Sequence, residues 1–182
     1  GLRASAQMLA YEVFMGLSLM GVVALAGSFS LNDIVAAQED MWFVVPQFLG
    51  FAIFMIVGLA ETHRTPFDMP EAESELVAGF FTEYSGLRFA FFYLAEYANT
   101  VLVSCVAAAM FLGGWNAPFA ALDFIPSWAW FFIKLLAMIF LFIWTRGTLP
   151  RLRQDQLMNL AWKFMIPMSL ITLVAAALWH FA

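Results

Sequence analysis

The sequence predicts an all-α, polytopic transmembrane helix bundle of five spans, with a long acidic loop between the second span and the third. Three observations predict it. Hydrophobic residues fill 64% of the 182 positions and charged residues only 12%, whereas a soluble domain is about half apolar and a quarter charged. Mean hydropathy is +0.85, and the apolar residues gather into runs near 5–28, 42–61, 88–113, 127–145 and 157–181. Strict period-two alternation is absent, so helices rather than barrel strands are expected to satisfy the backbone in lipid.

Each run is long enough to cross, since about 20 residues at about 1.5 Å per residue cover a hydrocarbon core of about 30 Å. The first run starts almost at Gly1. It exceeds the apolar core of a signal peptide and lacks a convincing cleavage pattern, so a signal peptide is not expected and the chain reads as a fragment. With no repeat of about 20–50 residues and no low-complexity tract, residues 1–182 are taken as one integral-membrane domain. Gly113-Gly114 closes the third run and reads as a helix end, not as a phosphate-binding loop.

Loop charge orients the bundle. Arg3, Arg64, Arg88, Arg146, Arg151 and Arg153 fall on one side, with Lys163 just inside the last span there; of the eight basic residues only Lys134 lies elsewhere. By the positive-inside rule that side is the cytoplasm or an organelle's matrix. Opposite loops carry Asp33, Glu39, Asp40 and Asp123. Trp42, Trp115, Trp128, Trp130 and Trp179 are expected near the outer interface and Trp144 and Trp162 near the inner one, as anchors.

The inner loop 61–88, ETHRTPFDMPEAESELVAGFFTEYSGLR, concentrates acids: Glu61, Asp68, Glu71, Glu73, Glu75 and Glu83 supply six of the 13 carboxylates. Asp68-Met69-Pro70-Glu71 has capping-box spacing with proline in the first turn, so a short helix is expected from Pro70, with Glu71 and Glu75 on one face. Two readings stay open. The acids complement the dipole of a solvated helix; or, because Phe67, Leu76, Val77, Phe80 and Phe81 fold the loop onto protein, they titrate as a coupled set able to hold and pass protons.

Two acids and Lys134 lie deep within spans. Glu12 and Glu96 are about 10 and 12 Å from the inner end, a depth at which a carboxylate marks a functional site unless it snorkels or is paired. Arg3 is a possible partner of Glu12, and Tyr97 and Asn99 of Glu96. Lys134, about 10 Å from the outer end, is read as snorkelling or structurally paired, with an ion path as the other reading.

Other classes are disfavoured. Net charge is -5 with no basic stripe, against nucleic-acid binding. The one cysteine, Cys105, provides neither an intrachain disulfide nor the four thiolates of an iron–sulfur cluster. His63 and His180 sit on opposite sides and cannot together ligate a haem. Neither has a nucleophile partner for a triad.

Several motifs are similar to one family, the H subunit of the proton-pumping NADH–quinone oxidoreductase (respiratory complex I), called subunit 1 in mitochondria. They are Glu61-Thr62-His63-Arg64-Thr65-Pro66-Phe67-Asp68, Pro70-Glu71-Ala72-Glu73-Ser74-Glu75-Leu76, Thr82-Glu83-Tyr84 and Ala95-Glu96-Tyr97-Ala98-Asn99. Leu2-Arg3 with Gln7 to Val13, Arg146 to Arg151 and Asp155-Gln156-Leu157-Met158 extend the match over nearly the whole chain. His63 departs from the family's usual Asn, and the chain resembles only the C-terminal five of about eight or nine spans.

The resemblance implies a mechanism. Such a subunit would wall part of a chamber for ubiquinone or menaquinone, bind no cofactor itself and be inactive alone. FMN and iron–sulfur clusters would reside in partner subunits, and further partners would be the peripheral quinone-site subunits and the antiporter-like membrane subunits. Carried over by position, Glu12, Asp68, Glu71, Glu73, Glu75 and Glu96 would couple quinone reduction to proton translocation. Arg64, Arg146 and Arg151 would line the quinone chamber or support the acidic loop, and Glu83 would join either group. The alternatives are an ion or proton transporter subunit, against which stands the lack of inverted repeats, and the membrane anchor of a related membrane-bound hydrogenase.

Overall fold

A computed structural model describes residues 2–62, 67, 83–118, 124–150 and 154–181. Their regular structure is all helix, with no strand among the described residues: α1 (Leu2–Ala26), α2 (Leu31–Ala36), α3 (Phe48–Glu61), α4 (Leu87–Phe111), α5 (Ser127–Thr148), α6 (Gln154–Leu160) and α7 (Ile166–Phe181), with a π-helical turn over Ala161–Met165 joining the last two. Leu87–Phe111, Ser127–Thr148 and Gln156–Trp179 are long and apolar enough to cross a bilayer, while Tyr11–Ala26 and Phe48–Glu61 are shorter apolar helices. The chain is therefore a polytopic, integral-membrane helix bundle.

The second apolar run departs from expectation. Helix was expected over 42–61, yet α3 begins at Phe48 and has 14 residues, rising only about 20 Å. Pro46 has no N–H to give a helix through this region. Residues 43–47 turn instead, and their backbone is satisfied by other means: Val44 N donates to Phe111 O at 2.9 Å and Gln47 N to Phe43 O at 2.9 Å. The unforeseen α2 starts where Ser28 Oγ donates to Asp33 Oδ2 at 2.7 Å, with Asp33 in its first turn, a favourable place for an acid against the helix dipole. Likewise Pro167 deprives the preceding turn of a donor and crowds it, and that turn opens into the π segment.

α1 packs against α3 and α7, α4 against α5, and α3 bridges the groups through α4 and α7. Their shared core holds Phe14, Val22, Phe54, Val57, Ala107, Phe111, Met138 and Phe142. Membrane helices gain little from apolar burial against one another, because lipid is equally apolar; close packing and interhelical hydrogen bonds hold them. Gly58 is such a close approach, since a Cβ there would lie 2.8 Å from Val103 Cγ1 and 3.1 Å from Phe142 Cζ. Gly58→Ala should force α3 off α4 and α5 and destabilise by about 1–3 kcal/mol. A melting curve of the purified assembly checks this, and unchanged stability would show that the contact yields freely.

Hydroxyls in the spans bond back to their own helices. Ser104 Oγ reaches Thr100 O at 2.8 Å, Thr145 Oγ1 reaches Leu141 O at 2.8 Å, and Thr172 Oγ1 reaches Ser169 O at 2.8 Å. This removes polar atoms that lipid could not satisfy.

Candidate functional site

At the end where α3 finishes and α4 begins, Asn99 Nδ2 donates to Glu61 O at 3.4 Å and ties the two helices. Thr62 is buried, with its Oγ1 on Leu59 O at 3.2 Å. Between α3, α4 and α5 a cavity of about 120 Å³ is lined by Leu59, Thr62, Tyr97, Thr100, Val101, Ile139, Phe142, Ile143 and Arg146. It is a largely apolar slot whose lining includes Arg146 and Tyr97. Arg146, in the last turn of α5, also suits the negative end of that helix dipole.

Of the expected proton-coupling residues, Glu12 and Glu96 are among the described ones. Glu96 is half-buried, whereas its neighbours from Leu87 through Ala95, and Tyr97, are exposed. Thr100 Oγ1 donates to its main-chain carbonyl at 3.0 Å. Glu12 is exposed on α1 and Glu83 is exposed ahead of α4. Arg64, Asp68, Glu71, Glu73, Glu75 and Arg151 lie outside the described residues, as do the short helix expected from Pro70 and His63. Phe67, adjacent to Asp68 in sequence, is 3% exposed. Its ring meets Tyr11 edge-on, with centroids 5.8 Å apart at 70°, and Tyr11 meets Phe14 at 5.3 Å and 85°.

At the opposite end Lys134 is buried without a carboxylate partner among the described residues. Its Nζ donates to Gly114 O at 2.9 Å and to Asn116 O at 2.6 Å, and stands 4.3 Å from the centre of the Trp42 ring. A side chain on a helix leans toward the N-terminus, so Lys134 on the second turn of α5 reaches the α4–α5 connection. Gly113 and Gly114 make that connection with φ of 71° and 52°, a region open to glycine without strain, in keeping with their reading as a helix end.

Gln38 completes the same node. Its Nε2 donates to Ile34 O at 3.2 Å and Ala109 O at 3.1 Å, while its Oε1 accepts from Phe43 N at 3.1 Å and Gly113 N at 3.0 Å. One buried amide thus satisfies groups from α2, the turn before α3 and the end of α4. Sequence reasoning assigned no role to Gln38, Tyr11 or the slot beside Tyr97, and treated Trp42 only as an interfacial anchor. The proline and glycine positions hint at turns here, but no motif marks Gln38.

The described residues thus form a membrane helix bundle with Glu96 half-buried on α4 and an apolar slot lined in part by Arg146. A family model described as NADH dehydrogenase matches residues 1–177. The chain belongs to that family. It is 53% identical over 178 residues to the NADH-quinone oxidoreductase H subunit of Anoxybacillus flavithermus, covering 98% of this chain and 53% of that protein. The same subunit of Geobacillus kaustophilus is 53% identical over 184 residues, covering 100% of this chain and 55% of that one. Its counterpart in Rhodopseudomonas palustris (strain BisB5) is 55% identical over 174 residues, covering 96% and 53% respectively. The chain spans about half the length of the curated relatives it matches.

Proposed function

We propose that the chain is part of the H subunit in the membrane arm of a proton-pumping NADH–quinone oxidoreductase, with its Arg-bearing loops on the cytoplasmic or matrix side. The observation that carries this is identity above 50% across nearly the entire chain to relatives bearing that name. The slot beside Arg146 supports a place in the wall of a quinone chamber. At about 120 Å³ it falls below the roughly 300 Å³ at which small-molecule sites begin, so this reading leaves the rest of the chamber to be walled by other residues. Arg146 and Tyr97 offer donors to a quinone oxygen, and the apolar side chains accept its hydrocarbon. Exposed Phe89, Phe91, Phe92 and Tyr93 on α4 offer a face to the peripheral and antiporter-like partners.

Proton coupling rests on the carboxylates. Uptake of protons at the reduced quinone changes the charge near the acidic loop, and that change shifts protonation and hydration at Glu12 and Glu96 deeper in the membrane. The chain itself carries no electrons in this scheme; flavin and iron–sulfur centres of partner subunits deliver them. Glu71→Gln tests the loop's part, because glutamine keeps size and hydrogen bonding but cannot release a proton. The assembled enzyme should lose both turnover and pumping, roughly a hundredfold. Normal coupled activity would remove Glu71 from the mechanism.

A further inference from the structure

Lys134 and its surroundings have no part in the scheme above. Lys134 is 5% exposed and is the one charged side chain fully buried among the described residues. Its hydrogen bonds and the Trp42 ring face compensate an ammonium: two carbonyl oxygens accept from it and a π-face lies against it. On the side away from the Arg-bearing end, a polar cavity of about 330 Å³ lies against Glu39, Asn116, Ser127 and Trp130, room for roughly ten waters at about 30 Å³ each. Asn116 belongs to both features, since it lines this vestibule and its carbonyl takes a Lys134 proton. Beyond the ammonium come Phe111, Met138 and Ala107, all buried and apolar.

The vestibule therefore comes within one residue of a fixed positive charge, behind which lie apolar side chains. We propose that the Lys134–Trp42–Gln38 node is a proton barrier that seals this end of the bundle. Two physical effects act together. The ammonium opposes a hydronium or any other cation entering from the vestibule, as fixed positive charge does in selective pores. By engaging the Gly114 and Asn116 carbonyls, and with Gln38 bonded to its own ring of backbone groups, the node also reduces the polar atoms on which a water file could continue. Protons collected at the Arg-bearing end are thereby kept from discharging or returning straight across this chain. That direction of traffic rests on the function proposed above; the barrier itself does not.

The test uses the native assembly carrying the variant chain, reconstituted in liposomes with an entrapped pH dye, its quinone site blocked by inhibitor. A potassium diffusion potential set with valinomycin drives protons inward. Lys134→Gln retains a donor for one carbonyl but removes the charge, and should raise passive proton entry roughly tenfold with uninhibited quinone reduction unchanged before reconstitution. Lys134→Arg should stay as tight as the unaltered protein. A tight Lys134→Gln, or a Lys134→Arg that leaks equally, would overturn the barrier. Should Lys134→Gln fail to assemble, Trp42→Leu strips the ring from the ammonium and leaves its hydrogen bonds; it should leak at least twofold above the unaltered protein, and a tight Trp42→Leu would overturn the barrier as well. An unaltered assembly with no quinone reduction would overturn the proposed function while leaving the leak comparison intact.

Discussion

Glu96→Gln is expected to lower inhibitor-sensitive quinone reduction and proton pumping together, roughly a hundredfold, the low end of what a positioned proton-transfer group contributes. The argument is physical. An acid about 12 Å into a span is costly to keep, and Glu96 is half-buried on a stretch of α4 whose neighbours are exposed. Glutamine preserves volume and hydrogen bonding, so the fold should survive and only proton exchange should be lost. Glu96→Asp retains the ionisable group and should recover part of the activity. Turnover and proton uptake measured on the same assembled enzyme decide it: full activity with an ordinary proton-to-electron ratio in Glu96→Gln would exclude this residue from the path.

The largest loss of stability is expected at Gln38. Leucine there is close in size but abandons four hydrogen bonds at once, including those that its Oε1 accepts from Phe43 N and Gly113 N. A buried N–H left without an acceptor costs about 1–3 kcal/mol, so Gln38→Leu should destabilise by about 3 kcal/mol or more. Its effect should appear as a lower melting temperature and faster heat inactivation of the assembly, with the redox chemistry of surviving enzyme unaltered. An unchanged melting temperature would mean that water or a backbone shift replaces the amide without penalty.

Helix positions were legible from hydropathy wherever a run is uninterrupted. The expected 88–113 and 127–145 correspond to α4 at Leu87–Phe111 and α5 at Ser127–Thr148. Hydropathy failed where composition and hydrogen bonding part company. Residues 42–47 are as apolar as a helix, yet Pro46 and the demands of Gln38 and Phe111 fold them into turns. The π turn before Pro167 left a visible proline, but a single proline does not announce how a helix will accommodate it.

At the site, residue type was legible and geometry was not. Depth alone marked Glu12, Glu96 and Lys134 as unusual, because an ionisable residue inside an apolar run stands out. What each one meets depends on side chains distant in sequence: Lys134 meets Trp42 across 92 positions of chain, and Arg146 shares a cavity with Thr62 and Tyr97. No local pattern encodes such encounters. Gln38 was invisible for the opposite reason, since a glutamine beside Glu39 and Asp40 looks like an ordinary loop residue.

The most direct test of the proposed function is to tag this chain in its native membranes, purify it in mild detergent, and assay inhibitor-sensitive quinone reduction in the recovered material alongside its protein content. The account predicts flavin-bearing and iron–sulfur subunits in the same fraction, with NADH-driven quinone reduction abolished by the inhibitor. Recovery of the chain alone, or with hydrogenase subunits and without quinone reduction, would contradict it.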